Sequence, residues 1–255
     1  MSRKKLGLSI RGGGAQGAAY LGALDAFKEA GIEIDMLIGS SAGAIASAFY
    51  AAGIDSKSVL ATEKDLHLWS FFGLDSLKDK SVMSDDKLIE FARTFVGHKK
   101  IQDLSCRLFI QLTQVSTGKE VVMQEGDLAT AIIASSSMPP LMNVIKIDGE
   151  NYIDGGYSAG YNAKFLRDRG ADVVVGLTID SNDMFNKKNL TTIDFIYMIV
   201  KNLHDIDLKL NPVDFLIDGL GDTSFNLLDF QKSISLYDKG KRITQQKIPE
   251  IKKLL

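Results

Sequence analysis

Ile38-Gly39-Ser40-Ser41-Ala42-Gly43-Ala44 is the stretch on which the fold of this chain turns. It holds Gly39-x-Ser41-x-Gly43 between an apolar run (Ile34, Met36, Leu37, Ile38) and a run of small residues from Ala44 to Ala52. The first run reads as a buried strand and the second as a helix. Glycines on both sides of such a junction let the backbone double back closely, leaving the Ser41 hydroxyl exposed at the helix N-terminus. Free N–H groups and the helix dipole favour negative charge there, which suits a nucleophile. An ordinary turn accounts for a bare Gly-x-Ser-x-Gly; the strand before it and the helix after it are what favour chemistry.

One unit upstream, Lys5-Leu6-Gly7-Leu8-Ser9-Ile10 reads as a short buried strand, followed by Arg11-Gly12-Gly13-Gly14-Ala15-Gln16-Gly17. Helical spacing (Leu21, Leu24, Ala26, Phe27) then runs from Ala18 to Ala30 and stops at Gly31, a C-cap. Strand, glycine loop, helix, strand, elbow and helix make a βαβ unit, whose two strands lie parallel and adjacent. The glycine loop and Ser41 then meet at the carboxyl ends of those strands. Consecutive glycines turn several N–H groups into one concavity, the construction of an oxyanion hole, where one donor is worth roughly 3 kcal/mol of barrier. The same residues spell Gly12-x-Gly14-x-x-Gly17, a dinucleotide fingerprint, with Glu33 or Asp35 near the ribose-binding distance. A dehydrogenase has no use for Ser41 at that sheet end, so a dinucleotide-binding oxidoreductase is kept as the weaker alternative.

An activated serine needs a base, and the histidines are His67, His98 and His204. His67 lies in Asp65-Leu66-His67-Leu68-Trp69, a helical or partly buried stretch, and His98 closes a helical segment, where a cation is ordinary. His204 alone fits the Ser–acid–His chain order of α/β-hydrolases. None has a distinctive local motif, and each reads as structural or surface. Asp154, in Asn151-Tyr152-Ile153-Asp154-Gly155-Gly156, ends a short strand and is the better candidate. Asp-Gly is also a hairpin signal, so its combination with the two upstream glycine motifs is what favours chemistry.

Taken in order, Gly12-Gly13-Gly14-Ala15-Gln16-Gly17, Gly39-Ser40-Ser41-Ala42-Gly43 and Asp154-Gly155-Gly156 resemble the patatin-like phospholipases. That family comprises lipid acyl hydrolases with a Ser–Asp dyad and no catalytic histidine. The stretches 116–122, 134–140 and 169–175 resemble it too, so the likeness covers roughly residues 5 to 180. The resemblance implies Ser41 as nucleophile, Asp154 as base, and Gly12, Gly13 and Gly14 as oxyanion hole. It implies an α/β fold of three αβα layers around a mostly parallel sheet. It also implies a phospholipid or related acyl ester as substrate, ping-pong acyl transfer and no cofactor. A carboxylate with an ordinary pKa near 4 must be raised by burial to serve as such a base.

Two places depart from the family pattern. Gln16 stands where a basic residue is usual, with Arg11 as a partial substitute. Tyr157-Ser158-Ala159-Gly160-Tyr161-Asn162-Ala163 replaces an Asn-rich stretch with a proline. Both bear on headgroup preference and turnover, and they keep open a non-catalytic lipid-binding or regulatory protein on the same fold.

With 255 residues the chain suits one α/β domain, motif-bearing over about 5–180 and helical over about 190–255. A net charge of -2 offers no basic surface for nucleic acid. Cys106 is the only cysteine, so no internal disulfide forms, and it reads as packing at a strand start. No His/Cys spacing suggests a metal site. Met1-Ser2-Arg3-Lys4-Lys5 lacks the apolar region of a signal peptide. The uncharged stretch Met36 to Ile54 has the length of a membrane span, yet its glycines and serines fit strand, elbow and helix better. A soluble cytoplasmic protein is expected, for which the Asn189-Leu190-Thr191 sequon has no meaning.

Helices are expected over Ser56–Trp69, Ser84–Phe95 (Ser84 as N-cap), Asp127–Ser135 and Ala163–Asp168. Strands are expected over Leu108–Val115, Val121–Gln124 and Asp172–Ile179. The aromatic run Trp69 to Leu74 fits inter-helix packing better than a lid. After a polar loop at 182–189 come an apolar stretch, Thr191–Leu203, and lysine-rich helical spacing over Leu227–Ile251. A basic amphipathic helix beside a lipid site offers transient contact with a membrane surface; packing on the sheet explains the same residues and is preferred. The sequence leaves the oligomeric state open.

Overall fold

Alternation along the buried strands assigns each side chain to one of two helical layers. In the computed structural model, which describes residues 3–66, 84–140, 142–180, 192–222 and 232–255, eight strands form one sheet. They are β1 (Leu6–Ile10), β2 (Met36–Gly39), β3 (Arg107–Gln114), β4 (Glu120–Met123), β5 (Ile145–Ile147), β6 (Glu150–Asp154), β7 (Val173–Leu177) and β8 (Phe215–Ile217). The spatial order is β5-β6-β3-β2-β1-β7-β8, with β4 also paired to β3. Strands β3, β2, β1, β7 and β8 run parallel, while β4, β5 and β6 pair antiparallel at one side. The described helices are α1 (Ala18–Glu29), α2 (Ala42–Ala51), α3 (Ser56–Leu66), α4 (Asp85–Val96), α5 (Leu128–Ser136), α6 (Ala163–Asp168), α7 (Thr192–Leu210) and α8 (Ser233–Lys252).

Leu6, Leu8, Ile10, Leu37, Leu108, Ile110, Leu112, Val173, Val175 and Leu177 project to one face, into a cluster with α1, α2, α5 and α8. Their strand neighbours Met36, Ile38, Phe109 and Val174 project to the other, against Ala163 and Leu166 of α6. Both faces are covered, as parallel sheets require, and the fold is the three-layer α/β arrangement read from the sequence. The order reverses at β1: the chain passes to β2 and β3 on one side and later returns to β7 and β8 on the other. Such a switch point opens a crevice at the carboxyl ends of the strands, where the glycine loop and Ser41 lie.

From β1 to β7, expected and observed ends agree to within a residue or two where they are described, whereas α7 runs on to Leu210 and α8 starts only at Ser233; the Met36–Ile54 stretch resolves into β2, elbow and α2 as expected. Helix α8 is a packed helix: a Cβ on Gly22 or Gly240 would sit 2.0 Å from a carbonyl oxygen of the facing helix, so α1 and α8 touch backbone to backbone. Cys106 is buried at the start of β3, its thiol pushed up to about 12 by burial. Strand β8, strand β5 and the hairpin that joins β5 to β6 were not read from the sequence, whereas the short strand ending at Asp154 was. His67, the aromatic run 69–74, the loop 182–189 and the sequon 189–191 lie outside the described residues. Among those described, no helix is long and apolar enough to cross a membrane.

Candidate active site

Ser41 sits between β2 and α2 with φ 53° and ψ −128°, a conformation a non-glycine residue rarely adopts. Holding it costs roughly 1–3 kcal/mol and requires surroundings that over-determine it. These surroundings are specific. The Ser41 N–H donates to both the carbonyl and the Oγ of Ser135, each at 3.0 Å. Ser135 Oγ in turn donates to the Gln111 carbonyl of β3 at 2.8 Å. Gly43 admits the first turn of α2 against the end of β1: a Cβ there would lie 2.2 Å from the Ile10 oxygen. The Ser41 side chain is buried to 8 % exposure, at the floor of the crevice.

Gly12 faces Ser41 directly, because a Cβ on it would stand 3.2 Å from the Ser41 Cβ and 3.8 Å from its Oγ. Gly14 has φ 54° and starts a 3-10 turn that leads into α1. Among the described residues, the N–H groups of Gly12, Gly13 and Gly14 find no acceptor. The N–H of Ala42, first residue of α2, finds none either. It was not singled out in the sequence, although the residue after an elbow serine has this place by construction.

Asp154 ends β6 opposite Leu112 and is 3 % exposed. Its backbone is pinned at both ends: its N–H donates to the Ser137 carbonyl at 2.7 Å and its carbonyl accepts from Thr113 Oγ1 at 2.8 Å. The following Gly155 crosses β3 so closely that a Cβ would fall 2.4 Å from the Gln111 oxygen. Oδ1 accepts from the Gly156 N–H at 2.8 Å, whereas Oδ2 is buried with no closed hydrogen bond among the described residues. Burial pushes this carboxyl up to about 6, against the opposing pull of the Gly156 N–H and the nearby Ser41 hydroxyl. Asp-Gly therefore marks a buried 3-10 turn here; the Asp-Gly hairpin of this chain is Asp148-Gly149, between β5 and β6.

The segment Ser135-Ser136-Ser137 thus links the two candidates, Ser135 holding Ser41 and Ser137 holding Asp154. Sequence reasoning quoted this run but gave it no role. Thr113 was missed altogether; a hydroxyl beside buried Leu112 on an inner strand was the available signal.

The departure at Gln16 has a structural reason. Gln16 is buried, and its Oε1 accepts from the Asp222 N–H at 2.6 Å. Lysine and arginine have no acceptor and could not make that bond. Arg11 does not stand in for a basic residue toward substrate: it is 2 % exposed and paired with Asp180 at 2.5 Å. Asp180 also takes the Tyr197 hydroxyl at 3.0 Å, and Tyr20 donates to the Gly12 carbonyl at 3.2 Å. These groups support the glycine loop from beneath.

His204 is buried behind the Asp154 turn, facing the backbone of Gly156 and Ala159, and burial holds its imidazole well below the usual range. His98 is exposed at the end of α4. The dinucleotide alternative loses both candidate acids: Glu33, which pairs with Arg3 at 2.8 Å, precedes β2 at the opposite end of the sheet from the glycine loop, and so does Asp35. The Asp35 carboxylate is spent on Arg3, at 2.7 Å to each oxygen, and on the Leu6 N–H at 2.8 Å. Among the described residues no group of acids, histidines and cysteine could hold a metal ion.

Comparison with known proteins bears on the family and the fold. An uncharacterized NTE family protein of Mycobacterium tuberculosis is 30 % identical over 158 residues, 60 % of this chain and 26 % of that protein. Lysophospholipase NTE1 of Pyricularia oryzae is 28 % identical over 189 residues, 71 % of this chain and 12 % of that one. This chain therefore spans about a quarter of the length of the first relative and about an eighth of the second. In fold it resembles VipD of Legionella pneumophila, with a TM-score of 0.55 at 14 % identity over 98 % of this chain and 67 % of that one. It also resembles ExoU in its complex with SpcU from Pseudomonas aeruginosa, with a TM-score of 0.51 at 17 % identity over 97 % and 52 %. The patatin-like phospholipase model matches residues 8–167, and the chain belongs to that family.

Proposed function

We propose that this protein is a serine lipid acyl hydrolase acting through a Ser41–Asp154 dyad. One observation carries the reading: a fully buried carboxyl, raised to about 6 and with Oδ2 unspent, stands beside a serine held in a strained elbow. A carboxylate in that range is ionised at neutral pH yet basic enough to accept a proton.

In the first half-reaction Ser41 Oγ attacks the ester carbonyl and passes its proton to Asp154. The tetrahedral oxyanion is held by N–H groups of Gly12, Gly13 and Gly14, which the support beneath the loop keeps oriented. Collapse expels the alcohol, which takes the proton from Asp154, and leaves an acyl-Ser41 ester. Water then attacks that ester with Asp154 again as base, releasing the fatty acid and restoring Ser41. No histidine, metal or cofactor enters these steps.

The named activity of the fungal relative makes a lysophospholipid the first substrate to try. The hydrophobic cluster joining Leu6 to Ile251 supports treating the chain as one domain. Release of fatty acid from lysophosphatidylcholine, lost in Ser41→Ala and in Asp154→Asn, tests the reading. Retained lipid binding without turnover in the wild type would instead favour a non-catalytic lipid-binding protein.

A further inference from the structure

Helix α7 has two faces of different fate. Its inner face carries Tyr197, Val200 and His204, all buried. A Cβ on Gly156 would touch Val200 at 3.2 Å, so the helix lies directly on the turn that follows Asp154. Its outer face carries Phe195, Ile199, Leu203, Ile206 and Leu210, each between 44 % and 75 % exposed. Steps of four, four, three and four residues place all five in one narrow stripe about 22 Å long.

The charges of this helix leave that stripe neutral. Lys201 and Asp205 neutralise each other at 2.5 Å. Asp207 is spent on the N–H groups of Tyr161 and Asn162, at 2.7 and 3.3 Å. Asn202 and Lys209 are the exposed polar residues on its flank.

We propose that α7 is the face by which this protein seats on a zwitterionic phospholipid surface. Among the described residues nothing covers the stripe, which exposes roughly 500 Å², as large as the largest apolar patch of a typical monomer. A second copy fits less well. A stable interface takes about 800 Å² per partner, and two heptads fall short of the three to four that mark a coiled coil. An anionic surface fits less well too, because the chain carries a net charge of -2 and the stripe adds little positive charge. Seated this way, the Asp154 turn lies about one helix diameter, roughly 10 Å, from the lipid. The choice of a lipid occupant rests on the proposed function; the apolar stripe does not.

The test is flotation with phosphatidylcholine vesicles at low and high salt, beside hydrolysis of a soluble p-nitrophenyl ester. The wild type is expected to float with the vesicles at both salt concentrations. The Ile199→Glu/Ile206→Glu pair is expected to lose at least about tenfold in partitioning, with unchanged melting temperature and ester hydrolysis. Ile234→Glu, at an exposed site on α8, is expected to bind as the wild type does. If the glutamates unfold the protein, Ile199→Ser/Ile206→Ser takes their place, with the same loss expected. Wild-type protein that stays with the solution, or variants that float unchanged, would overturn the proposal. Binding abolished by high salt would overturn it as well, and so would a wild-type dimer that the same substitutions split without any vesicle binding. Vesicle binding by a wild type inert toward every ester would leave the docking face standing and remove only the hydrolase reading.

Discussion

Asp154→Asn should gain stability relative to the wild type as pH rises, while losing turnover. Burial lifts the Asp154 carboxyl from an ordinary 3.8 to about 6, so the native state holds that proton more tightly than the unfolded chain does. Below pH 3 the group is protonated in both states and costs nothing. Between pH 3 and 6 the unfolded chain ionises first and stability falls. Above pH 6 the full cost remains, about 3 kcal/mol. Asparagine has the same shape and can still accept the Gly156 N–H, but it never ionises. Its amide, placed where Oδ2 lies unpaired, adds a cost of about 1–3 kcal/mol that does not depend on pH. The decisive quantity is therefore the trend. Between pH 3 and 8 the difference, variant minus wild type, should grow by about 3 kcal/mol, equal to a widening of roughly 6–12 °C in melting temperature for a chain of this size. Urea or thermal unfolding of both proteins across that range measures it, with other titrating groups cancelling in the difference. A difference that stays flat with pH would refute a raised Asp154.

Further outcomes follow from the same contacts. Ser135→Ala removes one acceptor of the Ser41 N–H and one donor to Gln111; it should cost about 1–2 kcal/mol in unfolding free energy and lower kcat with KM little changed. Gly43→Ala drives a methyl into the Ile10 carbonyl and should cost more than about 4 kcal/mol, read as loss of soluble folded protein. Gln16→Lys, which restores the basic residue usual in the family, leaves the Asp222 N–H without its acceptor; it should destabilise by about 1–3 kcal/mol with no gain in kcat/KM.

Much of this molecule was legible because its signals are local. Gly39-x-Ser41-x-Gly43 and the loop from Gly12 to Gly17 each carry their reason within a few residues, as the backbone contact at Gly43 makes plain. The βαβ handedness then brings them together. Asp154 could be picked out only through its company, since its burial is made by β3 and by α5, which lie tens of residues away in sequence. For the same reason Ser135, Ser137 and Thr113 were not recognised: each acts through hydrogen bonds to backbone groups distant in sequence. Gln16 looked like the loss of a charge, and its role depends on Asp222, 206 residues on. The apolar stretch from Thr191 onward was seen, but which face it would bury depended on where the turn after Asp154 lies. Membrane contact was weighed only for the lysine-rich final helix, where packing was preferred and where the helix does pack on α1, while α7 carries the exposed stripe.

The central claim is that Ser41 is an activated nucleophile with Asp154 as its base. Fluorophosphonate labelling of the folded protein, followed by peptide mass spectrometry across a pH series, tests it most directly. The account predicts label on the Ser41 peptide, a labelling rate that rises with pH through about 6 as Asp154 ionises, and a strongly slowed reaction in Asp154→Asn. Folded protein unlabelled at Ser41, or labelled equally fast without the carboxylate, would contradict it.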